Sequence, residues 1–137
     1  MKFVKLSHKA IPPMRATIGS AGYDLFAPEA TSLAPGERKT IMTDIGWADI
    51  PPHIGGFLQP RSGKAHKMGI ILLGGTIDSD YIGGQNIGAI LYNSGDETWN
   101  IEEGEAIAQI VMQPIVFMDN DLVAPVKRTG GFGSTDQ

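Results

Sequence analysis

The sequence predicts an all-β fold, a sandwich or jelly roll of many short strands, and two observations lead to this prediction. Glycine (18 residues) and proline (9 residues) are frequent and spread along the chain, which favours short strands separated by turns over long helices. Between these residues, apolar and polar positions alternate, as in strands that bury one face. The length of 137 residues suits a single domain with one core.

The clearest alternation lies at residues 39–48, which we predict to form one strand. Pro51 and Pro52 follow, and they end the strand because proline lacks the amide hydrogen that a sheet requires. The face expected to be buried consists of Ile41, Thr43, Ile45 and Trp47.

Three further strands and one helix can be placed. Residues 86–93 and 97–101 alternate in the same way, and the NSGD sequence at 93–96 is typical of a turn between them. Residues 105–116 are apolar enough for a buried strand that ends near Pro114, although periodicity alone does not exclude a helix. A short helix is predicted at Ser62–Lys67. The apolar positions expected to face the core are Ile87, Ala89, Leu91, Trp99 and Ile101.

The C-terminal residues 128–137 (RTGGFGSTDQ) differ in composition from the rest of the chain. They offer little to bury, so a frayed terminus is the simplest interpretation. Phe132 nevertheless stands alone among glycines, as in a lid that closes over a ligand. We therefore divide the chain into a domain at 1–127 and a flexible glycine-rich arm at 128–137.

Charge and composition narrow the classes of function. Lys and Arg total 11 and Asp and Glu total 15, which gives a net charge of −4. This sign is not expected of a general nucleic-acid or membrane binder. The absence of cysteine excludes disulfides and thiolate metal sites. With no apolar run long enough to span a membrane and no signal peptide pattern, we expect a soluble intracellular protein that binds neither nucleic acid nor membranes.

A positively charged segment at residues 60–64 (PRSGK) is a candidate anion site. Arg61 offers a planar set of donors that suits phosphate. Ser62 and Gly63 stand at the expected start of the short helix, where backbone N–H groups can bind an anion. An ordinary turn explains these residues equally well when they are considered alone.

The segment at residues 74–81 (GGTIDSDY) is a more specific candidate. In an extended chain Asp78 and Asp80 would share one face and Tyr81 would point to the other. A turn at Asp78 would instead let Asp78 and Tyr81 line one pocket. A carboxylate there can position and deprotonate water, and a tyrosine ring can pack on a sugar or base. By itself the segment is also compatible with a solvated turn.

Two more segments supply one candidate each. Asp24 lies in the AGYDL sequence at 21–25, where an ordinary strand with a surface acid is the simplest interpretation. Gln109 stands among small apolar residues, and its amide either satisfies backbone groups or reaches a ligand.

Taken together and in order, these segments resemble the five motifs of the trimeric dUTP pyrophosphatase (dUTPase) family. The resemblance runs from about Ser20 to Thr135, and five motifs in the right order are hard to obtain by chance. The matching segments are AGYDL (21–25), PRSGKA (60–65), GTIDSDYIGG (75–84), GEAIAQI (104–110) and GGFGST (130–135).

The resemblance implies a jelly-roll (β-clip type) homotrimer in which each active site takes residues from three subunits. It implies conversion of dUTP and water to dUMP and pyrophosphate, with Mg²⁺ bound by the triphosphate as cofactor. Asp78 would be the catalytic carboxylate that orients the water attacking the α-phosphorus. Asp24 would lie near the water shell of the metal or at a subunit contact.

The resemblance also implies how the substrate is held. Tyr81 would pack on the deoxyribose and exclude a 2′-hydroxyl, the backbone around Gly75 would read the uracil edge, and Phe132 would close over the uracil. The positions implied to contact the phosphates or the closed arm are Arg61, Ser62, Gly63, Gln109, Arg128, Gly133, Ser134 and Thr135.

The chain departs from the family pattern in four places. The run after Tyr81 is longer, which alters the hairpin that reads the base. Lys127 stands where the family has an arginine, so either Lys127 or Arg128 can reach the γ-phosphate. Asp136 replaces a glycine, and Lys64 replaces a residue that is commonly apolar; at Lys64 we expect a solvated side chain.

Two other functions stay open at this point. A dCTP deaminase shares the fold and would release ammonia from dCTP. A non-enzymatic nucleotide-binding regulator would bind nucleotide without turnover. The pairing of Asp78 with Tyr81 and the aromatic, glycine-rich arm favour dUTP hydrolysis.

Overall fold

The structure, a computed structural model, describes residues 1–133 and is built almost entirely of short antiparallel strands. A single short helix, α1 (Ser62–Met68), interrupts them in the described part of the chain. The strands are β1 (Lys2–Lys5), β2 (Gly22–Phe26), β3 (Thr31–Leu33), β4 (Arg38–Met42), β5 (Ile45–Ala48), β6 (Ile54–Gln59), β7 (Ile70–Leu73), β8 (Thr76–Ile77), β9 (Gly88–Asn93), β10 (Trp99–Ile101) and β11 (Ala106–Pro114).

The strands form a jelly roll, which confirms the predicted fold class. One sheet has four strands in the order β2-β11-β6-β8, and another has three in the order β4-β9-β7. Two smaller sheets pair β1 with β5 and β3 with β10. Most neighbours in the sheets are distant in sequence, so the fold depends on contacts between remote segments.

Two apolar clusters fill the interior. The first gathers Leu33, Leu91 and Trp99 with other buried residues. The second contains Leu25, Trp47 and also Tyr81, which is 7% exposed. Tyr81 is also a candidate site residue, so packing in the core helps to position it.

The prediction of one strand at 39–48 is wrong, although the predicted buried face is correct. The alternating residues from Ile41 to Trp47 are buried, yet β4 ends at Met42 and β5 begins at Ile45. Asp44 between them has φ 58°, a left-handed conformation that a continuous strand cannot contain. The chain therefore changes from one sheet to another at this point.

The other predicted elements are present with one change in pairing. The helix and the strand ending at Pro114 are confirmed. Residues 94–98 do connect β9 to β10, but these two strands do not pair, since β9 lies between β4 and β7 and β10 pairs with β3. No helix in residues 1–133 is long and apolar enough to cross a bilayer.

The sequence did not indicate β6, because two glycines (Gly55 and Gly56) stand inside it. The structure gives a reason for one of them: a Cβ on Gly56 would come within 2.8 Å of Trp47 Cζ3. The glycine therefore makes room for the buried indole ring, and packing outweighs the poor strand propensity of glycine.

Candidate active site

The Arg61 pocket is a polar cleft between the start of α1 and the strands β2 and β11. It contains five of the residues predicted from the sequence. Ala16, Ser20 and Gly22 complete its wall. The predicted members are Asp24, Arg61, Ser62, Gly63 and Gln109.

The donors of the Arg61 pocket are held in place by neighbouring groups. Arg61 Nε donates to Asp24 Oδ1 at 3.2 Å, and Gln109 Nε2 donates to the carbonyl oxygen of Pro60 at 3.2 Å. No side chain caps the first turn of α1, whose residues Ser62 and Gly63 line the pocket, and N–H groups in the first turn of a helix have no partner within the helix. A cation, an amide and backbone N–H groups in one cleft suit a phosphate group.

Gly22 has a steric role in this pocket. A Cβ on Gly22 would overlap the side-chain amide of Gln109. The bare backbone of β2 therefore lets the Gln109 side chain lie across it and reach the pocket.

Lys64 is partly buried and has two partners, so it differs from the solvated side chain that was expected. Its Nζ lies 3.3 Å from Glu105 Oε1 and 4.9 Å from the centre of the Trp99 ring. Partial burial alone would raise the pKa of Glu105, but hydrogen bonds from the Glu102 backbone, the Trp99 indole and Lys64 outweigh it and lower that pKa. Lys64 thus fastens α1 to the segment just before β11.

The Tyr81 pocket is a second cleft, formed where β8 ends and the arm returns. Of the residues that line it, Gly75, Asp78, Tyr81, Arg128 and Phe132 were predicted as site residues. The remaining lining residues are Thr76, Ile77, Gly88, Ile90 and Gly131.

A turn at Asp78 brings Asp78 and Tyr81 into one pocket. The backbone N–H of Tyr81 donates to the carbonyl oxygen of Asp78 at 3.0 Å, which decides between the two geometries left open by the sequence. Gly75, with φ 105°, approaches β6 so closely that a Cβ there would stand 3.1 Å from the carbonyl oxygen of Leu58. Glycine is therefore required on steric and conformational grounds.

The Tyr81 hydroxyl has a fixed partner within the protein. It donates to the carbonyl oxygen of Asn86 at 2.6 Å. Burial raises the pKa of the phenol, and the nearby Arg128 guanidinium lowers it in part, with a net increase. Tyr81 is therefore a neutral donor at physiological pH.

Arg128 fastens the arm to this pocket. Its Nη2 donates to Asp78 Oδ2 and its Nε to Asp80 Oδ1, the latter at 2.7 Å, and its guanidinium carbon lies 6.0 Å from the centre of the Tyr81 ring. The sequence left open whether Lys127 or Arg128 reaches the γ-phosphate. In the structure Arg128 lines the pocket, while Lys127 is exposed.

The glycine-rich part of the arm packs directly on Tyr81. A Cβ on Gly131 would stand 2.6 Å from Tyr81 Cε2, so the bare backbone lies on the ring. Phe132 is 60% exposed at the pocket edge, and Gly133 is exposed beyond it. Ser134, Thr135 and Asp136 lie outside the described residues.

The two pockets do not merge within one chain. Asp24 and Gln109 lie on β2 and β11, whereas Asp78 follows β8 at the far edge of the same sheet. Three strand spacings separate β2 from β8, which is about 14 Å. The structure therefore divides the predicted site residues into two groups.

A protein-only metal centre is not present in residues 1–133, where no three His, Cys, Asp or Glu side chains gather closely enough to hold an ion. Asp24 is the carboxylate of the Arg61 pocket, with a side chain 18% exposed. A hard cation bound mainly by ligand oxygens and water needs no more protein carboxylates than this.

Sequence reasoning missed Ser20, which lines a pocket, and two residues that bond to residues lining one. Ser20 adjoins the AGYDL segment and was detectable by that position alone. Asp80 was weighed as a neighbour of Asp78 but not as a partner of Arg128. Asn86 gave no local signal, because its relation to Tyr81 depends on how the hairpin folds.

These features define a class of protein. A jelly roll that has one cleft suited to phosphate, and a second that sets a carboxylate beside an aromatic ring, is equipped to bind and hydrolyse a phosphorylated nucleoside. The dUTPase family model matches residues 8–136. The chain therefore belongs to the dUTPase family.

Relatives and solved structures agree with this assignment. The deoxyuridine 5′-triphosphate nucleotidohydrolase of cowpox virus is 42% identical over 139 aligned positions, covering 98% of this chain and 92% of that protein. The mouse enzyme of the same name is 39% identical and covers 98% of this chain and 84% of its own length.

Among solved structures, the dUTPase of Staphylococcus bacteriophage 80alpha with dUPNHPP superposes with a TM-score of 0.78 and 29% identity, covering 97% of this chain and 96% of that one. A mutant dUTPase from phage phi11 of S. aureus, which coordinates a structural Mg(II) ion, gives a TM-score of 0.78 at 28% identity, covering 89% and 95%.

Proposed function

We propose that the protein hydrolyses dUTP to dUMP and pyrophosphate, as the name of its relatives states for them. The observation that carries the proposal is the Tyr81 pocket, in which a turn sets the Asp78 carboxylate beside the Tyr81 ring under the C-terminal arm. The dCTP deaminase and regulator alternatives are not favoured, because the family match and the curated relatives are dUTPases.

Asp78 acts as the catalytic residue. Its carboxylate accepts a proton from a water and orients the water oxygen toward the α-phosphorus. The new P–O bond forms as the bond to the bridging oxygen between the α- and β-phosphorus breaks, and pyrophosphate leaves with that oxygen. The side chain is 55% exposed, so a water reaches it readily.

Tyr81 and Gly75 select the nucleoside. The Tyr81 ring, fixed by its hydroxyl bond to Asn86, packs on the deoxyribose and leaves no room for a 2′-hydroxyl. The backbone near Gly75 faces the same pocket and supplies hydrogen bonds to the uracil edge. Phe132 closes over the base from the arm.

The phosphates are held by the donors of the Arg61 pocket and by the arm. Arg61, Ser62, Gly63 and Gln109 bind phosphate oxygens, and Arg128 exchanges its carboxylate partners for the γ-phosphate. Gly133 and Ser134 belong to the same closing arm.

Mg²⁺ fits this donor set as an ion carried by the triphosphate, with Asp24 near its water shell. A bound Mg²⁺ would neutralise part of the phosphate charge. The protein contributes the positioning of the phosphates through Arg61 and Gln109, since phosphoryl transfer depends mainly on orientation and charge stabilisation.

The active enzyme is a homotrimer that shares its active sites between subunits. Three features support this part of the proposal. The two pockets share no lining residue in one chain, and each holds only part of the required residues. The segment after β11 also exposes apolar side chains, including Val116, Leu122 and Val123, which a neighbouring subunit would cover.

The function is tested by pyrophosphate release with Mg²⁺ from dUTP, dTTP, dCTP and UTP. We expect turnover of dUTP alone, and Asp78→Asn should lower kcat by at least about a hundredfold while nucleotide binding persists. Asp80→Asn is the matched control, because Asp80 also bonds Arg128 but is not assigned to the water. Equal activity of wild type and Asp78→Asn would refute the role of Asp78, and ammonia release from dCTP would favour the deaminase.

Sharing of sites is tested by combining two inactive chains. Arg61→Ala and Asp78→Asn each disable a different pocket. If a site takes Arg61 from one subunit and Asp78 from another, random assembly leaves both residues intact in one of the three sites of each mixed trimer, which is about a quarter of all sites, and activity should recover to roughly that level. Failure of the coexpressed pair to recover any activity would show that each chain forms its own site.

A further inference from the structure

We infer that Asp44 is a positioning residue for the sugar-selecting side chain, because it fixes the carbonyl group that holds the Tyr81 hydroxyl. This inference rests on the proposed function, in which the Tyr81 ring packs on the deoxyribose. Asp44 itself lies outside the residues that line either pocket.

The first step of the argument is that the Tyr81 ring depends on Asn86. The ring lines the pocket, and its hydroxyl makes a 2.6 Å bond to the carbonyl oxygen of Asn86. A shift of that carbonyl would move the hydroxyl end of the ring with it. The core holds the body of the ring, and the hydroxyl end of the ring is additionally held by the Asn86 carbonyl.

The chain between Tyr81 and Asn86 cannot supply this rigidity. Ile82, Gly83 and Gly84 are exposed, and both glycines have positive φ (74° and 86°). A Cβ added at either glycine would meet nothing within 4 Å, so these two glycines add little support. Beyond them, the backbone of Asn86 is held where the N–H of Ile87 donates to the carbonyl oxygen of Ile45 at 2.8 Å, and the side chain of Asn86 is held separately.

Asp44 holds this side chain through a reciprocal pair of hydrogen bonds. The backbone N–H of Asp44 donates to Asn86 Oδ1 at 2.9 Å, and Asn86 Nδ2 donates to Asp44 Oδ1 at 2.9 Å. The Asn86 side chain thus accepts one hydrogen bond and donates another, and these two bonds restrict its rotation. Together with the bond from the Ile87 N–H to the carbonyl oxygen of Ile45, these bonds hold Asn86 beside the junction of β4 and β5.

Asp44 is in turn held by the N-terminal segment. Ser7 Oγ donates to Asp44 Oδ2 at 2.8 Å, and the backbone N–H of Leu6 donates to the carbonyl oxygen of Asp44 at 2.9 Å. Each carboxylate oxygen thus has its own donor. These bonds also compensate for the left-handed backbone of Asp44 (φ 58°), which Asp and Asn adopt more readily than most residues.

This arrangement permits an exchange test. Asn86→Asp places two carboxylates against each other, and Asp44→Asn replaces an acceptor by an amide of nearly the same shape. In the double variant Asp44→Asn/Asn86→Asp, the carboxylate at position 86 accepts both bonds from position 44, and the amide oxygen at position 44 still accepts from Ser7. The double variant therefore restores the hydrogen bonds between positions 44 and 86, with the negative charge at position 86 instead of position 44.

The measurement is the ratio of kcat/KM for dUTP to kcat/KM for UTP, with melting temperatures recorded for every variant. We expect Asn86→Asp to lower the ratio about tenfold, the size that one lost buried hydrogen bond produces, and Asp44→Asn to lower it less. The exchange variant should return to within about twofold of wild type. If Asn86→Asp does not fold, Asp44→Asn and the exchange variant carry the same comparison.

The same substitution made in the Tyr81→Phe variant distinguishes a positioning role from general destabilisation of the protein. In Tyr81→Phe the hydroxyl is absent, so Asn86→Asp added to it should cause no further loss of the ratio. An equal loss in both backgrounds would overturn the inference, as would folded single variants with the wild-type ratio or an exchange variant that does not recover. A wild-type protein without dUTP turnover would instead refute the proposed function, on which the inference depends.

Discussion

Gly131→Ala provides a direct test of the contact between the arm and Tyr81. Gly131 has no positive φ, so alanine is compatible with the backbone and the effect is steric. The new methyl would stand 2.6 Å from Tyr81 Cε2 and 2.9 Å from its hydroxyl oxygen, whereas ordinary contacts begin at 3.4 Å. The arm must therefore retreat by about 3.4 − 2.6 = 0.8 Å.

This displacement acts on Arg128 and Phe132, which flank Gly131 in the same pocket. Misplacement of about 1 Å in an active site can cost about a hundredfold in rate, so we expect kcat/KM for dUTP to fall by roughly ten- to a hundredfold. The melting temperature should stay within about 2 °C of wild type, because we expect the exposed arm to move rather than the Tyr81 ring, which the core holds.

Steady-state hydrolysis of dUTP with Mg²⁺ measures the effect, and Thr129→Ala is the matched control because Thr129 is exposed on the same arm. Wild-type kcat/KM in Gly131→Ala would refute the reasoning, since it would mean that the arm does not rest on Tyr81 during turnover. A large drop in melting temperature would mean that the arm is part of the folded core.

Two other predictions concern the arm and the Lys64 contact. Deletion of residues 128–137 should lower dUTP turnover strongly, because Arg128 and Phe132 leave the Tyr81 pocket, and a thermal scan should show little loss of stability. Lys64→Met keeps the apolar stem but loses the ion pair with Glu105 and the contact with the Trp99 ring, which should cost about 1 kcal/mol at pH 7. The pKa of Glu105 is lowered in the folded protein, so its charged form stabilises the fold above the ordinary pKa of 4.5 and this stability is lost as the pH falls through the folded value. The difference in melting temperature between wild type and Lys64→Met should therefore shrink below about pH 4.5, and a difference that stays constant would exclude the ion pair as its cause.

The sequence predicted the parts of the fold that depend on local patterns. The buried face from Ile41 to Trp47, the core positions of β9 and the limit of β11 at Pro114 all follow from alternation and from proline chemistry. The break at Asp44 did not show in the pattern, because the alternation continues through it. At the break, Asp44 bonds to Asn86 and Ser7, which are remote in sequence and so could not be read from the local pattern.

The candidate site also combines features that local sequence indicates with features that depend on contacts between remote segments. Residue types made Asp78, Tyr81 and Arg61 candidates, and the resemblance to the dUTPase family gave them roles; the structure places them in the walls of two pockets. Their grouping into two pockets could not be predicted, since it depends on the strand order β2-β11-β6-β8. The turn at Asp78 was one of two geometries that the sequence allowed.

Lys64 shows why a residue's environment is harder to predict than its identity. Three residues after Arg61 on a short polar helix, a lysine is normally solvated, and no local feature indicated otherwise. Its partners are Trp99, the first residue of β10, and Glu105, which directly precedes β11. Because Glu105 lies four residues before Gln109, the Lys64 contact links the helix that carries Arg61 to the strand that carries Gln109. The Lys64 contact therefore joins the two segments from which Arg61 and Gln109 line one pocket, although Lys64 itself is not among the residues that line it.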